Sequence, residues 1–546
     1  MRQSYDFNDL FIFEMANNHQ GDVQHGLKII REMGSAARDH GVRAAVKFQF
    51  RDLDSFIHPD FRDASEPKHI QRFLSTELTL DAFGVMFDEV RAQGMLTMCT
   101  PFDERSVDHI EAMGFDIIKV ASASCQDWPL LERISEANLP VIVSTGGQDI
   151  ASIDNISSFC HHRGIDHALM HCVALYPTPD AHCQLNQIDR LSERYRDTTI
   201  GWSTHEAPDD TDVVIAAYAK GARIFEKHVG VIDGPVTALN AYSATPEQVR
   251  AWLAAYQKAV ALCGNDIHDT HHTQAERDAL AALQRGVYAR APLTAGQEIG
   301  LDDVFFAMPL HDGQLISGRF KAGTVVNQEV EAQGVIDEGA TDIPSDPDRK
   351  VIQSSLHQIK AMLNEARIPL NSDFKVEYSH HHGVENFREI GAVLIDVVNR
   401  SYCKKIVAQL PGQYHPAHFH KLKDETFIVV YGTLHLEVDG HHKILSPGET
   451  AVVQPGVWHH FWTETGVIFE EISSTHKNDD SFYKDKRINR MPRADRKTIV
   501  DHWGRFTLGD KNDSRDEIWT PRRPAADEPA PSDAEDEETG AATVDP

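Results

Sequence analysis

Two short apolar runs in the first half of the chain each end in a histidine. They are Thr199–His205 and Arg223–His228, and an amphipathic stretch separates them. Alternate side chains of a strand share one face, so Glu226 points the same way as His228, and parallel neighbouring strands would bring both imidazoles to one rim. Neutral imidazoles are good ligands for a divalent transition metal, and two of them leave positions for water or substrate. The alternative for each histidine alone is a buried packing residue.

Polar residues also end the other apolar runs of the first 230 residues. Lys47 and Lys119 are the most informative, because a buried lysine is costly unless an anion accompanies it. They predict a pocket for a phosphate or a carboxylate; the alternative is an internal salt bridge with Glu14 or Glu226. The polar side chains at these ends include Asn17, Lys47, Gln49, Thr100, Lys119, Ser122, Tyr176 and Ser203, for which the family resemblance described below implies substrate binding.

The elements that must position these residues alternate regularly. Eight apolar runs, each followed by a helix-like stretch, predict an α/β fold of the (β/α)8 TIM-barrel type, whose catalytic groups come from several strand ends. An open doubly wound sheet is the alternative, but no G-x-G-x-x-G motif follows the first run. The predicted strands are 11–16, 44–50, 96–100, 117–122, 141–145, 168–173, 199–204 and 223–229.

The motifs at these ends, taken in order, resemble those of the sialic acid synthase family. They are FEMANNHQGD at 13–22, VKFQ at 46–49, TPF at 100–102, IKVAS at 118–122, STG at 144–146, HC with YPTP at 171–179, GWSTH at 201–205 and EKH at 226–228. The resemblance implies condensation of phosphoenolpyruvate with an open-chain hexose or N-acylhexosamine, typified by N-acetylmannosamine. The products would be a nonulosonic, sialic-acid-type acid and phosphate.

The resemblance also implies roles for individual residues. His205 and His228 would hold Mn²⁺ or Mg²⁺, and Glu14 would assist proton transfers at the attacking water and the new alkoxide. The two lysines would bind phosphate and carboxylate with Ser122 and Ser203, and the remaining polar residues of the strand ends would line the same pocket. Ser124, Ala174 and Val236 depart from the family pattern on the acceptor side, so the acceptor sugar is left open.

A second centre follows in the last third of the chain. GQYHPAHFH at 412–420 and GETAVVQPGVWH at 448–459 reproduce the two cupin motifs. His418 and His420 alternate on one predicted strand, and with Glu425 and His459 they form a three-histidine, one-carboxylate set for Mn²⁺, Zn²⁺, Fe²⁺ or Ni²⁺. The alternative is a metal-free cupin with buried polar residues.

The cupin segment as a whole resembles the D-lyxose ketol-isomerase type of sugar cupin. That resemblance implies that the domain binds or isomerises a sugar, with Glu437 or Glu470 carrying the proton. The alternative is a regulatory or structural module that has kept its metal. By contrast, His380–His382 are predicted to be surface or packing residues.

The intervening β-rich stretch resembles the antifreeze-like SAF domain of sialic acid synthases, which implies a domain-swapped homodimer. The alternative is a β-domain that only braces the dimer. The predicted organisation is thus a TIM-barrel synthase domain at 1–263, a linker at 264–284, a SAF domain at 285–335, a linker at 336–350, a β-barrel cupin at 351–500 and an acidic disordered tail at 501–546.

Composition limits the partners. The chain has 546 residues and a net charge of −30, which argues against nucleic acid or an anionic membrane as partner. No 18-residue apolar run and no signal-peptide core occur, and the seven cysteines show no C-x-x-C, so a cytoplasmic protein with reduced thiols is predicted. An aldolase or lyase on the same barrel, acting through a lysine imine, and a sugar-binding protein with a regulatory cupin are the alternative functions.

Overall fold

The computed structural model describes residues 4–62, 68–264, 273–345, 348–370, 374–477 and 480–501. The chain divides into two compact units, 1–271 and 272–546. Within the described residues, no helix combines the length and the apolar character that crossing a membrane requires. The predicted acidic tail, apart from its first residue, lies outside the described residues.

The first unit is a closed barrel of eight parallel strands in sequential order, as predicted. Five of the eight strands end one or two residues earlier than predicted, because the chain leaves the strand conformation before the last residues of each apolar run. The strands are β1 Leu10–Glu14, β2 Arg43–Phe50, β3 Leu96–Pro101, β4 Ile117–Val120, β5 Val141–Ser144, β6 His167–Cys172, β7 Ile200–Thr204 and β8 Ile224–His228.

Helices surround the barrel, and side chains that suit helix starts precede many of them. The Asp22, Asp103 and Asp149 side chains each accept a backbone N–H at the start of a helix, and Thr245 forms a capping box with Gln248. The helices are α1 Val23–His40, α2 Leu53–Phe56, α3 Lys68–Ser75, α4 Leu80–Ala92, α5 Glu104–Met113, α6 Trp128–Glu136, α7 Ile150–His162, α8 Asn186–Arg194, α9 Asp212–Ala219 and α10 Pro246–Cys263.

Alternation along the strands sorts the barrel interior into layers. Apolar residues such as Ile12 and Ala45 pack together inside the barrel, and two residues further along the same strands come Glu14 and Lys47. The register pairs Glu14 with both Lys47 and His228. An apolar layer therefore closes the barrel below a polar layer at the carboxyl ends of the strands.

The second unit begins with a helix and a small β-structure. Helix α11, Gln274–Ala281, lies inside the segment predicted as a linker; its residues are exposed, so no buried stripe indicated it. The strands that follow are β9 Gly286–Ala289, β10 Gln297–Ile299, β11 Val304–Ala307, β12 Thr324–Val326 and β13 Thr341–Asp342. Because β13 pairs with β12, this β-structure continues into the second predicted linker.

The cupin consists of two antiparallel sheets of seven and five strands. Helix α12, Asp348–Glu365, packs Ile352, Leu356 and Ile359 into the core of the larger sheet. The strands are β14 Lys375–Ser379, β15 Ala392–Asn399, β16 Tyr402–Gln409, β17 Tyr414–His420, β18 Glu425–Gly432, β19 Leu434–Val438, β20 His441–Leu445, β21 Thr450–Val453, β22 His459–Trp462, β23 Val467–Ser474, β24 Ser481–Tyr483 and β25 Lys497–Asp501, and helices α13 Lys486–Arg490 and α14 Arg493–Arg496 precede β25.

Candidate functional site

A cavity of about 420 Å³ opens at the carboxyl ends of the barrel strands. All eleven residues predicted for the barrel site line it, although they come from seven different strand ends. The eleven are Glu14, Asn17, Lys47, Gln49, Thr100, Lys119, Ser122, Tyr176, Ser203, His205 and His228.

A four-charge cluster forms the floor of this cavity. Glu226 bridges the two lysines: its carboxylate oxygens lie 2.8 Å from Lys47 Nζ and 2.6 Å from Lys119 Nζ. Lys47 Nζ also lies 2.5 Å from Glu14, and Ser203 donates a hydrogen bond of 3.1 Å to Glu226. Both lysines are therefore paired internally, the alternative stated above, and their anion-binding role stays a prediction. The cluster is neutral overall.

Burial and pairing shift the four charges in different directions. Burial alone would raise the pKa of Glu226, but Lys119 and Lys47 together hold it well below its usual value. Burial raises the pKa of Glu14 even though Lys47 opposes the shift. Of the two carboxylates, Glu14 is thus the better suited to take up and release a proton. Ala16, two residues after Glu14, adopts a φ of 45° and donates its N–H to the Glu14 carboxylate at 2.6 Å.

The two barrel histidines face each other, with ring centroids 5.2 Å apart. His205 Nδ1 lies 2.9 Å from the Val173 carbonyl; since a carbonyl only accepts, Nδ1 carries the proton and Nε2 keeps its lone pair. Burial lowers the pKa of both His205 and His228 to about 3, so both are neutral near pH 7. This donor set fits a divalent transition metal.

The other predicted side chains hold positions around this centre. The Thr100 hydroxyl is buried without a hydrogen-bond partner, and Ser122 Oγ accepts the Gly146 N–H at 2.9 Å. The Tyr176 ring lies 4.2 Å from that of His205 between centroids. These groups are available to a substrate in the cavity, and their roles stay predictions.

Sequence reasoning missed several residues that line the same cavity. Arg51 continues the alternation of Lys47 and Gln49 on β2, and that alternation could have revealed it. Arg72 lies on α3, and Tyr242 follows β8, with its ring centroid 5.0 Å from that of His228. No strand-end pattern indicated either residue, because each lies in a long connection.

The cupin brings together three of its four predicted ligands as a compact group. His418, His420 and His459 offer nitrogen atoms within 4.8 Å of one another. Each Nδ1 donates to a backbone carbonyl, at 3.0, 2.8 and 3.2 Å respectively, which leaves each Nε2 free. Glu425 completes the set, with oxygens 3.4 Å from His420 Nε2 and 3.3 Å from His459 Nε2. His459 Nε2 and one Glu425 oxygen are buried without a hydrogen-bond partner, as expected of metal ligands.

The candidate proton carriers of the cupin differ from those expected. Glu437 and Glu470 are partly exposed and pair with His460 and Lys404, so they do not face the ligand set. Glu471, the neighbour of Glu470 on β23, is buried and shares Lys423 with Glu425.

Two of the three consecutive histidines, His380 and His381, are buried rather than on the surface. His381 Nε2 lies 3.1 Å from the Tyr483 hydroxyl, and the Tyr483 ring stacks on His418 with centroids 5.3 Å apart. His381 is therefore part of the packing behind the ligand set.

The fold and the two sites define a class of protein. It combines an α/β-barrel, whose cavity contains two histidines and two lysines, with a cupin that contains a cluster of three histidines. Sequence models of two families match these parts, the NeuB family over residues 33–268 and the cupin domain over residues 405–470. A solved structure from Chromobacterium violaceum ATCC 12472, assigned to spore coat polysaccharide biosynthesis as protein E, is 42% identical, covers 61% of this chain and 99% of that one, and superposes with a TM-score of 0.58. Residues 33–268 thus form a NeuB family domain.

Curated relatives include synthases of nine-carbon sugar acids. The N-acetylneuraminate-9-phosphate synthase of Drosophila melanogaster is 30% identical over 44% of this chain and 65% of its own length. The N,N'-diacetyllegionaminic acid synthase of Legionella pneumophila is 25% identical over 55% of this chain and 85% of its own length. The chain is thus similar to synthases that are named for different products.

Proposed function

We propose that the barrel condenses phosphoenolpyruvate with the open-chain form of a hexose or N-acylhexosamine, giving a nonulosonic acid and phosphate. The observation that carries the proposal is the meeting of a histidine pair, two lysines and several hydroxyls in one cavity of about 420 Å³. The synthase relatives support the same class of reaction.

The side chains divide the work by charge. Among the described residues, no carboxylate accepts the third N–H of Lys47 or the remaining N–H groups of Lys119. With the hydroxyls of Ser122 and Thr100, these N–H groups can donate to a phosphate or carboxylate. Glu14, with its raised pKa, takes the proton of the attacking water and returns one to the new alkoxide. Near-neutral charge on the floor before substrate binds limits the cost of burying these groups.

The reaction also requires activation of the acceptor aldehyde, for which the histidine pair could hold a metal. A divalent metal such as Mn²⁺ or Mg²⁺, held by His205 and His228, would polarise the aldehyde of the acceptor. Tyr176 and Tyr242 flank the two imidazoles and restrict where the acceptor can enter.

The test is release of phosphate from phosphoenolpyruvate by the full chain, with a panel of hexosamines and hexoses, with and without EDTA. We expect release only with an acceptor and only with metal. Formation of pyruvate from a nonulosonic acid would instead favour the lyase, and no turnover with any sugar would favour a binding protein.

We propose a second activity for the cupin, the interconversion of aldose and ketose sugars. The observation that favours it is Glu471, a buried carboxylate linked through Lys423 to the ligand Glu425. The experiment uses the full chain with His228→Ala, which silences the barrel, and Mn²⁺. Glu471→Gln should abolish interconversion, whereas its outward-facing neighbour Glu470→Gln should not; no interconversion by either would leave a regulatory or structural module.

We also propose that the β-structure of β9 to β13 is a SAF domain and that the protein is a domain-swapped homodimer. The support is its position after the NeuB family domain of the chain. Size-exclusion chromatography with light scattering would give the mass of a dimer, and a monomer would contradict the proposal.

A further inference from the structure

Arg51 is the most unusual charged group of the cavity that the proposed function leaves unused. Its guanidinium carbon lies 3.7 Å from the ring centroid of Phe102 and 4.1 Å from that of Phe73. It donates to Gln49 Oε1 at 2.9 Å, but its Nε is buried and has no hydrogen-bond partner. Burial lowers the pKa of this guanidinium to about 10. Glu14 and Asp103 act on it electrostatically but form no ion pair with it among the described residues, so this partly buried cation would be stabilised by an anion that binds beside it.

A second arginine lines the same cavity. Arg72 lies on α3, three residues after His69, so both side chains emerge on one side of the helix and both line the cavity. Among the residues that the structure describes, no ion pair joins Arg51 or Arg72 to a carboxylate. The arginines therefore add two positive charges to a cavity whose floor is already neutral.

The β2 strand gives the position of this charge relative to the reacting centre. Lys47 and Gln49 share a face of β2, and Arg51, which follows its last residue, continues the alternation; Lys47 is in register with Glu14, which in turn pairs with His228. Four residues of strand span about 13 Å. The Arg51 backbone therefore lies further out than that of Lys47, toward the mouth of the cavity, although its long side chain still interacts electrostatically with Glu14. The far end of an extended sugar would reach this part of the cavity.

A second cavity, of about 260 Å³, also contacts Arg51. Its wall includes Asp52, Asp54 and Glu77, so it disfavours an anion. A negative group would therefore approach the guanidinium from the main cavity, which Arg72 also lines.

We propose that Arg51 and Arg72 form an anion subsite at the barrel mouth, and that the acceptor sugar carries a phosphate or a carboxylate at the end away from its aldehyde. The proposal rests on the proposed synthase function and names its acceptor class. Arg51 also fixes the orientation of Gln49 by donating to its Oε1. Bidentate recognition of an oxyanion suits guanidinium better than ammonium.

The experiment compares acceptors that differ only in this group: a neutral N-acylhexosamine, its 6-phosphate and its 6-carboxylate. Consumption of phosphoenolpyruvate by the full chain is measured with each. We expect kcat/KM to be higher for an anionic acceptor, and Arg51→Met to reduce the anionic-to-neutral ratio of kcat/KM by about 10- to 100-fold. The phosphate and carboxylate arms identify which oxyanion the subsite takes. Arg163→Met is the matched control, because Arg163 also lies over a phenylalanine ring but on the outer surface of α7.

Three results would overturn the subsite: a preference for the neutral acceptor, an equal loss on both acceptors, or a raised KM for phosphoenolpyruvate alone. If circular dichroism shows that Arg51→Met does not fold, Arg72→Met on exposed α3 replaces it. The same anionic-to-neutral ratio of kcat/KM is then measured and should fall. Calorimetric binding of the sugar phosphate separates the two proposals. Binding that Arg51→Met weakens, without any consumption of phosphoenolpyruvate, would uphold the subsite and overturn the synthase.

Discussion

Replacement of Glu226 by glutamine tests the charge cluster on the barrel floor. Glutamine keeps the shape but has one acceptor oxygen, which can stay with Lys47 and Ser203, and its amide NH2 then faces Lys119; the charge that both lysines share is removed. Lys47 retains Glu14, whereas Lys119 retains only a 3.3 Å contact with the Met170 sulfur. The substitution therefore leaves Lys119 as a buried cation without a carboxylate.

The loss of unfolding free energy caused by Glu226→Gln can be estimated for two cases, in which Lys119 either keeps or loses its proton. Removing one partner of a buried ion pair costs about 3–5 kcal/mol. Lys119 can instead lose its proton, and burial already lowers its pKa; from an unfolded value of about 10.4, deprotonation at pH 7 costs about 4.6 kcal/mol. We expect Glu226→Gln to lower the free energy of unfolding of the barrel by about 3–5 kcal/mol.

If Lys119 is neutral in the folded variant, the free energy of unfolding of the variant must change with pH in a known direction. A folded state with neutral Lys119 binds one proton fewer than the unfolded state, so the stability of the variant rises with pH up to about 10.4. The gap to the wild type should therefore narrow above pH 7 by at most about 1.4 kcal/mol per pH unit.

The assay is urea unfolding at pH 7, 8 and 9. The unfolding transition of the barrel is identified as the one that added phosphoenolpyruvate shifts to higher urea concentration. Glu132→Gln is the control; Glu132 pairs with Arg163 at 2.5 Å on the surface, and its loss should cost no more than about 1 kcal/mol. An equally small effect of Glu226→Gln, or a gap that does not change with pH, would refute this account of the cluster.

Three further substitutions test separate parts of the site. Glu14→Gln should lower kcat at least about 100-fold with little change in KM, measured by phosphate release; a change in KM alone would assign Glu14 to binding. His228→Ala should abolish turnover and remove one Mn²⁺ per chain in metal analysis, and unchanged metal content would contradict its role as a ligand. His418→Ala should remove the other metal but spare phosphate release; loss of both would show that the cupin serves the barrel reaction.

The sequence predicted the barrel and the contents of its cavity because simple periodicities determine both. Strand alternation and parallel order place every strand end at one rim, so residues as distant as Glu14 and His228 could be assigned together. The pairing of the lysines was less determined, since an anion pocket and an internal salt bridge use the same residue types. Side-chain distances decide between them, and Glu226 lies within reach of both lysines.

The errors have physical reasons as well. Arg51 and Arg72 were missed because an arginine beyond a strand end or in a connection usually faces solvent. For Arg51, packing against Phe73 and Phe102 shows otherwise, whereas Arg72 is exposed but lines the cavity. In the cupin, the expectation of Glu470 in place of Glu471 is a shift of one residue. Such a shift moves a side chain to the opposite face of a strand, and the sequence of two adjacent glutamates does not fix the phase.

The most direct measurement of the central claim follows one oxygen atom. Phosphoenolpyruvate labelled with ¹⁸O in its bridging C–O–P position is incubated with Mn²⁺, the full chain and the preferred acceptor. Mass spectrometry should find the label in the released phosphate and a nonulosonic acid without it, because water attacks carbon and the C–O bond breaks. Label retained in the organic product, or phosphate released equally without an acceptor, would contradict the assignment of this barrel as a condensing synthase.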